Sequence, residues 1–306
     1  MSINSRQIRE FLYAQLQDWE LARKNYEALQ NVETKEFENE GITVKVQFNP
    51  ARIVSSGAKV DDNSIRERKC FLCEANRPKE QKYIQYNDYQ ILVNPFPIFP
   101  EHFTIPAVAH TEQLIYSRFA DMLDFARILD EYVLFYNGPK CGASAPDHTH
   151  FQAGSRGFLP IEKIAFDSGD KKPLQMLDYA ILLQSSDKET VVSLFHKLYK
   201  SLKIKESEKE PMMNILAWYE CQRWLVAVFP RKKHRPECYY AEGAENILIS
   251  PAAVDLGGVF ITPLQKDFEK ITATDLIQIR IEVCYSEREI QSFVSRVSNP
   301  KSKQPV

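Results

Sequence analysis

The sequence predicts a mixed fold of helices and short strands. Apolar runs with a period of two, bounded by Pro, Asn and Gly, read as strands. Runs with helical period separate them, so neither element type has a region of its own. A third observation is an internal echo. "YQILVNPFPIFPEHFTIP" (89–106) and "QRWLVAVFPRKKHRPECYY" (222–240) both run from a strand through a Pro turn and a His to an extended segment, which hints at two similar halves.

In chain order, residues 5–30 read as one amphipathic helix, with Ile8, Phe11, Leu12, Leu16 and Trp19 near one face. "ITVKVQF" (42–48) alternates and reads as a strand stopped by Asn49-Pro50. A polar, irregular stretch holding Cys70 and Cys73 follows. Strands are predicted at 89–93 and 102–106 across a Pro-rich crossing, then a helix over about 112–130 capped by Thr111. "YVLFYN" (132–137) and "HTHFQAG" (148–154) are strands flanking a loop. "DSGDKKP" (167–173) is the best linker. A helix near 188–202, strands at 213–219, 224–230, 246–250 and 258–262, and a helix over 273–294 complete the chain. "SNPKSKQPV" reads as a frayed tail.

The bulk numbers exclude several classes. With 306 residues the chain is long enough to bury a real core. A net charge of −2 provides no global basic field for nucleic acid. No apolar run approaches the roughly 18 residues of a membrane span. The first 30 residues lack an apolar leader and carry Glu10, Asp18 and Glu20, so the expectation is a cytoplasmic protein. Of six cysteines, only Cys70 and Cys73 are close in sequence, a spacing that points to metal or redox chemistry rather than a disulfide scaffold.

The chemistry concentrates in "CGASAPDHTHFQAG" (141–154). On a strand His148, His150 and Gln152 share a face. A solvated face with incidental histidines is the bland reading. The loop before them weighs against it, because Gly142, Ser144 and Pro146 suit a turn that offers N–H groups to phosphate. A neutral imidazole can attack phosphorus if its far nitrogen is held by a hydrogen bond. A neighbouring amide can donate to phosphate oxygens without competing as nucleophile.

"HTHFQ" resembles the His-x-His-x-Gln motif of the nucleotidyltransferase branch of the histidine-triad superfamily. That branch includes galactose-1-phosphate uridylyltransferases, diadenosine tetraphosphate phosphorylases and GDP-hexose phosphorylases. The longer run "NGPKCGASAPDHTHFQ" is similar to the family's Asn-Gly, Gly-x-Ser, Pro-His-x-His-x-Gln series. The resemblance implies His150 as nucleophile, Gln152 and Ser144 as phosphate contacts, and Asn137 as a support for nucleophile or phosphate. Asn94 in "VNPF" stands where the family places a ribose contact; the competing reading is a turn. Asp147 departs from the pattern, since it stands between Pro146 and His148 where uridylyltransferases run Pro directly into His.

"CFLCEANRP" resembles the Cys-x-x-Cys segment of the same family. By that match Cys70, Cys73, His110 and His148 would hold a structural zinc ion, pinning a remote loop to the strand that carries His150. Without metal, His110 would be a surface residue and His148 a partner of the nucleophile. His102 stands where a superfamily His opens a strand. In the second half, "FPRKKHRP" is bounded by prolines, and Arg231, His234 and Arg235 are candidates to grip substrate phosphates. Asp255, before Gly257-Gly258, reads as part of a turn between strands.

The resemblance spans roughly 45–265. It implies an α+β fold of two histidine-triad-like halves, each a mainly antiparallel sheet with packed helices, forming one compact unit. The division is 1–166 for the half with the motif and the Cys pair, 174–297 for the motif-poor half, and 298–306 for the tail. It further implies transfer of a nucleotide from a nucleoside diphosphate sugar or dinucleoside polyphosphate, through a nucleotidyl-histidine, to phosphate or a sugar 1-phosphate. Partners beyond substrate and acceptor would be a second copy of the chain, since members are often homodimers, and neither nucleic acid nor membrane. Two alternatives stay open: a hydrolase of the histidine-triad type, and a non-catalytic zinc-stabilised nucleotide-binding module.

Overall fold

The computed structural model describes residues 3–39, 42–53, 57, 61–167 and 172–298. Its centre is one antiparallel sheet of nine strands. They are β3 (Tyr83–Tyr86), β4 (Tyr89–Val93), β5 (His102–Pro106), β6 (Tyr132–Asn137), β7 (His150–Ser155), β8 (Leu174–Leu177), β9 (Ala180–Ser185), β10 (Met213–Glu220) and β11 (Arg223–Pro230). The spatial order is β3-β4-β5-β7-β6-β10-β11-β9-β8. β4-β5-β7-β6 and β8-β9-β11-β10 follow the same path: a hairpin, a helix, then a second hairpin whose last strand lies beside the first. The two sets meet where β6 pairs with β10. The segments of the echo do not occupy matching places in this path, since 89–106 holds β4 and β5 while 222–240 holds β11 and the turn after it.

Strand alternation explains how this sheet separates core from site. Leu134 and Tyr136, Phe151 and Ala153, Ile215 and Ala217, and Val226 and Val228 point to one face. There they meet the helices Ser5–Asp18, Phe119–Ile128, Lys188–Ser201 and Glu287–Ser298 in the largest core cluster. The residues between them point to the other face. Some are apolar, such as Val133, Phe135, Leu216 and Trp218. Others are polar and buried: Asn94, His102, Thr104, Asn137, His150, Asn214 and Arg231. That second face is covered by a small sheet of β1 (Glu33–Asn39), β2 (Ile42–Phe48) and β12 (Val259–Thr262), in which β12 runs parallel to β2.

Several predicted elements differ, each for a local reason. The first helix breaks in two at Trp19 (φ −121°, ψ 95°), giving Ser5–Asp18 and Glu20–Leu29. The helix predicted over 112–130 begins only at Phe119. Residues 111–115 instead run extended across the sheet, held by Thr149 N–H to the Thr111 carbonyl (2.6 Å) and Gln113 N–H to the Pro146 carbonyl (3.2 Å). "NILIS" (246–250) is not a strand, having no ladder partner. The last predicted helix splits into Ala273–Val283 and Glu287–Ser298, because Cys284 leaves the helix to bridge Arg231. β1, β3, β8 and β9 were not anticipated. Of the predicted linker, 168–171 lie outside the described residues, as do 299–306 of the tail. Among the described residues no helix is long and apolar enough to cross a membrane.

On β7, Gly154 faces the Phe99 ring so closely that a Cβ there would lie 2.4–2.5 Å from ring carbons. Both groups are buried, so neither can yield cheaply. Gly154→Ala is expected to destabilise the protein by about 1–3 kcal/mol, the usual cost of overpacking. Urea unfolding measures it, and an unchanged midpoint would show that the Phe99 contact is looser than described.

Candidate active site

A cavity of about 690 Å³ opens on the polar face, at the splayed ends of β6 and β7. One wall is apolar, with Trp19, Leu21, Phe71, Leu72, Leu92 and Phe96. The break after Asp18 is what places the Trp19 indole there. The lining also has a polar part, with Asn94, Asn137, Ser144, His150 and Gln152. Such an arrangement fits a ligand with a flat apolar end and an anionic end.

His150 is 4% exposed. Its Nδ1 lies 2.8 Å from the His148 carbonyl, which can only accept, so the ring proton sits on Nδ1 and Nε2 keeps its lone pair. Burial, which outweighs the bond to His148, pushes its pKa down to about 4, leaving the ring neutral at physiological pH. A neutral imidazole with a fixed tautomer and a free Nε2 is what attack on an electrophile requires.

Gln152 is oriented by a second histidine. His102 is fully buried and accepts the Ile98 N–H at Nδ1 (3.1 Å), so its Nε2–H donates to Gln152 Oε1 (3.0 Å). Burial, with the nearby Arg52 charge, takes the His102 pKa down to about 3, so this tautomer persists. Asn94 Nδ2 also donates to Gln152 Oε1 (3.3 Å) and to Thr104 Oγ1 (3.1 Å). With its oxygen occupied twice, Gln152 turns its NH₂ group to the cavity. Asn94 thus borders the cavity while its side chain is spent on Gln152, Thr104 and the Phe96 N–H.

Asn137 is arranged the same way. Its Oδ1 accepts from Asn214 Nδ2 (2.8 Å) and the Ala253 N–H (2.9 Å), which leaves Nδ2 for the cavity. The Ser144 hydroxyl lines the cavity and has no protein partner among the described residues. Its loop sits against Ala252 through Gly142, which has φ +91° and room for no Cβ, since one would meet the Ala252 Cβ at 2.7 Å.

Arg231, His234 and Arg235, the candidates to grip substrate phosphates, are not among the residues that line the cavity. Arg231 is 1% exposed. All five of its donors are used inside the protein: Nε on the Val283 carbonyl, Nη1 on Asn214 Oδ1 and the Pro251 carbonyl, Nη2 on the Lys233 and His234 carbonyls. It acts at one remove, by fixing Asn214, which fixes Asn137. His234 is held neutral, its pKa taken down to about 3 by burial and by Arg235, Arg231 and Lys140. Arg235 bonds Ser250 Oγ (3.1 Å) and stacks 4.1 Å from the Tyr239 ring centroid. The cations that do line the cavity are Arg52 and Arg68, which sequence reasoning missed. It also missed Gln113, Asn214 and Glu210, single polar residues in unremarkable surroundings.

Cys70, Cys73, His110 and His148 come together, with their ligand atoms all within 4.8 Å of one another. Cys70 Sγ is 3.3 Å from His148 Nδ1 and Cys73 Sγ is 3.1 Å from His110 Nδ1. His148 Nε2–H donates to the Ala107 carbonyl (2.7 Å), so Nδ1 is the atom that faces the sulfurs. Burial opposes ionisation of Cys70, but the hydrogen-bond contact with His148 and the bonds from the Leu72 and Cys73 amides bring its pKa down to about 6. These four residues could hold a metal ion. Asp147 now has a place: one oxygen pairs with Arg68 and the other lies 3.7 Å from His110 Nε2. It ties the cluster to the cavity wall. Purified protein is expected to carry about one transition-metal ion per chain by elemental analysis. Cys70→Ser should lose it, and a wild type free of metal after growth in metal-replete medium would contradict the assignment.

Residues 11–155 match a family model described as a domain of unknown function (DUF4922). Comparison with curated protein sequences finds no match. Among solved structures, yeast Ap4A phosphorylase Apa2 aligns at 18% identity over 87% of this chain and 97% of that one, with a TM-score of 0.60. The same yeast enzyme in complex with AMP aligns at 16% identity over 89% and 97%, with a TM-score of 0.56. Its complex with Ap4A aligns at 15% over 87% and 97%, with a TM-score of 0.57. The chain therefore has the α+β fold seen in yeast Ap4A phosphorylase Apa2.

Proposed function

We propose that the protein is a nucleotidyltransferase, of the phosphorylase kind, that moves a nucleotide from a nucleoside diphosphate sugar or a dinucleoside polyphosphate to an acceptor. The observation that carries this is His150: neutral, fixed by the His148 carbonyl, and lining, with Nε2 unbonded among the described residues, a cavity that Gln152, Asn137 and Ser144 also line. In the first step the Nε2 lone pair attacks the α-phosphorus. The P–O bond to the leaving group breaks, and that oxygen departs with the electron pair. A phosphoramidate remains on the ring. In the second step an acceptor oxygen attacks the same phosphorus and the N–P bond breaks, returning neutral His150. The NH₂ groups of Gln152 and Asn137 and the Ser144 hydroxyl donate to the nonbridging oxygens, where charge grows in both transition states.

Among the described lining residues the one carboxyl, Asp255, has its pKa raised to about 6 by burial but is engaged by the protein, and this favours particular substrates. The titratable side chains there are Arg52, Arg68, His150 and Asp255. Both Asp255 oxygens already accept backbone N–H groups, from Ala252 and Ile261. A leaving group must therefore depart without being protonated, as a phosphate or a sugar phosphate does and an alcohol does not. By the same reasoning the acceptor is an anion already ionised, inorganic phosphate or a sugar 1-phosphate, rather than water awaiting a base. The apolar wall with Trp19, Phe71 and Phe96 suits the base of the nucleotide.

We take the ion of the Cys-His cluster to be zinc. Two thiolates and two imidazoles are a common closed zinc set, and tetrahedral zinc separates a sulfur from a nitrogen ligand by roughly 3.6 Å, close to the 3.1–3.6 Å of the three sulfur–nitrogen contacts here, in a cluster whose ligand atoms all lie within 4.8 Å. The ion would be structural. His148 and His110, drawn to Cys70 and Cys73, would hold the backbone just ahead of His150 in register.

Incubation with a panel of nucleoside diphosphate sugars and dinucleoside polyphosphates, without acceptor, tests the proposal by intact mass. Wild type is expected to gain one nucleotidyl group and His150→Asn none. No adduct from any donor, or one that survives the substitution, contradicts it. The pH dependence follows from the depressed pKa of about 4. Protonation removes the lone pair only as pH falls towards that value, so the rate of adduct formation should stay flat from pH 8 to about 5 and fall below it. A fall centred near 6.5, the ordinary histidine value, would show that the ring is more exposed than described.

A further inference from the structure

β6 and β7 pair from Tyr132↔Ser155 to Phe135↔Gln152. Continued by two residues, the ladder would set Asn137 against His150. It stops instead, and the side chain of Gln113 occupies the gap. Gln113 Nε2 donates to the Asn137 carbonyl (3.1 Å) and to the His150 carbonyl (3.0 Å), while Oε1 accepts the His150 N–H (2.7 Å). A primary amide has the donor and acceptor of a peptide unit, so this one side chain serves as a fragment of strand between two strands that have parted. It is fully buried. Its own backbone is tied on both sides, with the N–H on the Pro146 carbonyl (3.2 Å) and the carbonyl accepting from Tyr136 Oη (3.1 Å). Two residues on, the Ile115 N–H is held by the buried carboxylate of Glu210 (2.9 Å), which Tyr136 also contacts (2.6 Å).

We infer that Gln113 is a positioning residue for the nucleophile: it wedges β6 from β7 and sets the His150 backbone at the separation that lets the imidazole reach the cavity while Nδ1 still meets the His148 carbonyl. Without it, the strands either close, burying His150 against Asn137, or leave two carbonyls and one N–H unpaired in the interior. Gln113 is not among the residues that line the cavity and acts through the backbones of His150 and Asn137, so the inference rests on the reading of His150 as nucleophile. A wedge requires a donor at Nε2 as well as an acceptor at Oε1. Glutamate has the same shape but loses the donor when ionised, setting a carboxylate against two carbonyl oxygens. Protonated, it regains one donor.

The test is single-turnover adduct formation across pH for wild type, Gln113→Ala and Gln113→Glu, with donor affinity measured separately. The expected result is a rate about 100-fold lower for Gln113→Ala at every pH, the order of loss that a small misplacement of a reacting group causes, with donor affinity within about threefold of wild type. Gln113→Glu should be similarly slow at high pH and recover as pH falls, along a titration that wild type lacks. Alanine at the wild-type rate, or glutamate with a profile parallel to wild type, overturns the wedge. A wild type that forms no adduct overturns the nucleophile reading instead, which keeps the two failures apart. Should the variants not fold, the through-hydrogen-bond scalar coupling from Gln113 Nε2 to the His150 carbonyl carbon in wild type decides. Its presence supports the wedge and its absence overturns it.

Discussion

The carbonyl of His148 accepts the Nδ1–H of His150 at 2.8 Å, and the rest of the site is arranged around keeping those two residues in register. The bond decides which ring nitrogen carries the proton and which can attack. It joins residues two apart in the chain, so any twist of the backbone between them would break it. His148 is restrained from the other side by its own ring, which joins Cys70, Cys73 and His110 and donates to the Ala107 carbonyl. His150 is restrained through its backbone by Gln113. Between them Thr149 is tied to the Thr111 carbonyl by its N–H and to the Glu112 carbonyl by its hydroxyl. Three consecutive residues are thus each held by a separate piece of the extended 110–113 segment or by the Cys loop.

Burial is the second constraint, and it acts through sign. Histidine loses its charge readily when desolvated, so a dry setting favours the neutral forms of His150 and His102, one the proposed nucleophile and the other a fixed donor to Gln152. A carboxylate in the same setting is pushed the other way, as with Glu210, whose burial raises its pKa to about 7 despite the Tyr136 and Ile115 hydrogen bonds. Around His150 the polar lining is accordingly rich in amides and hydroxyls, with Asn94, Asn137, Gln152, Thr104 and Ser144, while the charged groups of the lining are Arg52, Arg68 and Asp255. Two of its amides, Gln152 and Asn137, have their oxygens already occupied by the protein, which leaves their NH₂ groups as the free ends.

The parts of this arrangement that were legible in the sequence are those governed by strand alternation or by spacing. "HTHFQ" on one strand face put His150 and Gln152 together, and Cys-x-x-Cys announced half of a ligand set. His148 escapes the alternation because the strand begins only at His150, which frees its ring to turn to the sulfurs. Contacts that depend on long-range packing were not legible. Arg231 looks like a phosphate grip in "FPRKKHRP" because a buried arginine and an exposed one are written alike; only the five acceptors around it distinguish them. Gln113 was hidden inside a stretch of helical period, where nothing local says that residues 111–115 must stay extended to reach β7. Asp147 was visible as a break in the motif, yet its meaning depends on Arg68, 79 residues earlier in the chain.

A covalent intermediate makes transfer a sequence of two in-line displacements at one phosphorus, and each inverts its configuration. The most direct measurement is transfer from a donor whose α-phosphorus is made chiral by one sulfur in place of oxygen, with the product's configuration read by phosphorus NMR. Attack by His150 followed by attack of the acceptor predicts overall retention. Inversion would mean that the acceptor reaches the donor in a single displacement, and would contradict the assignment of His150 as the nucleophile.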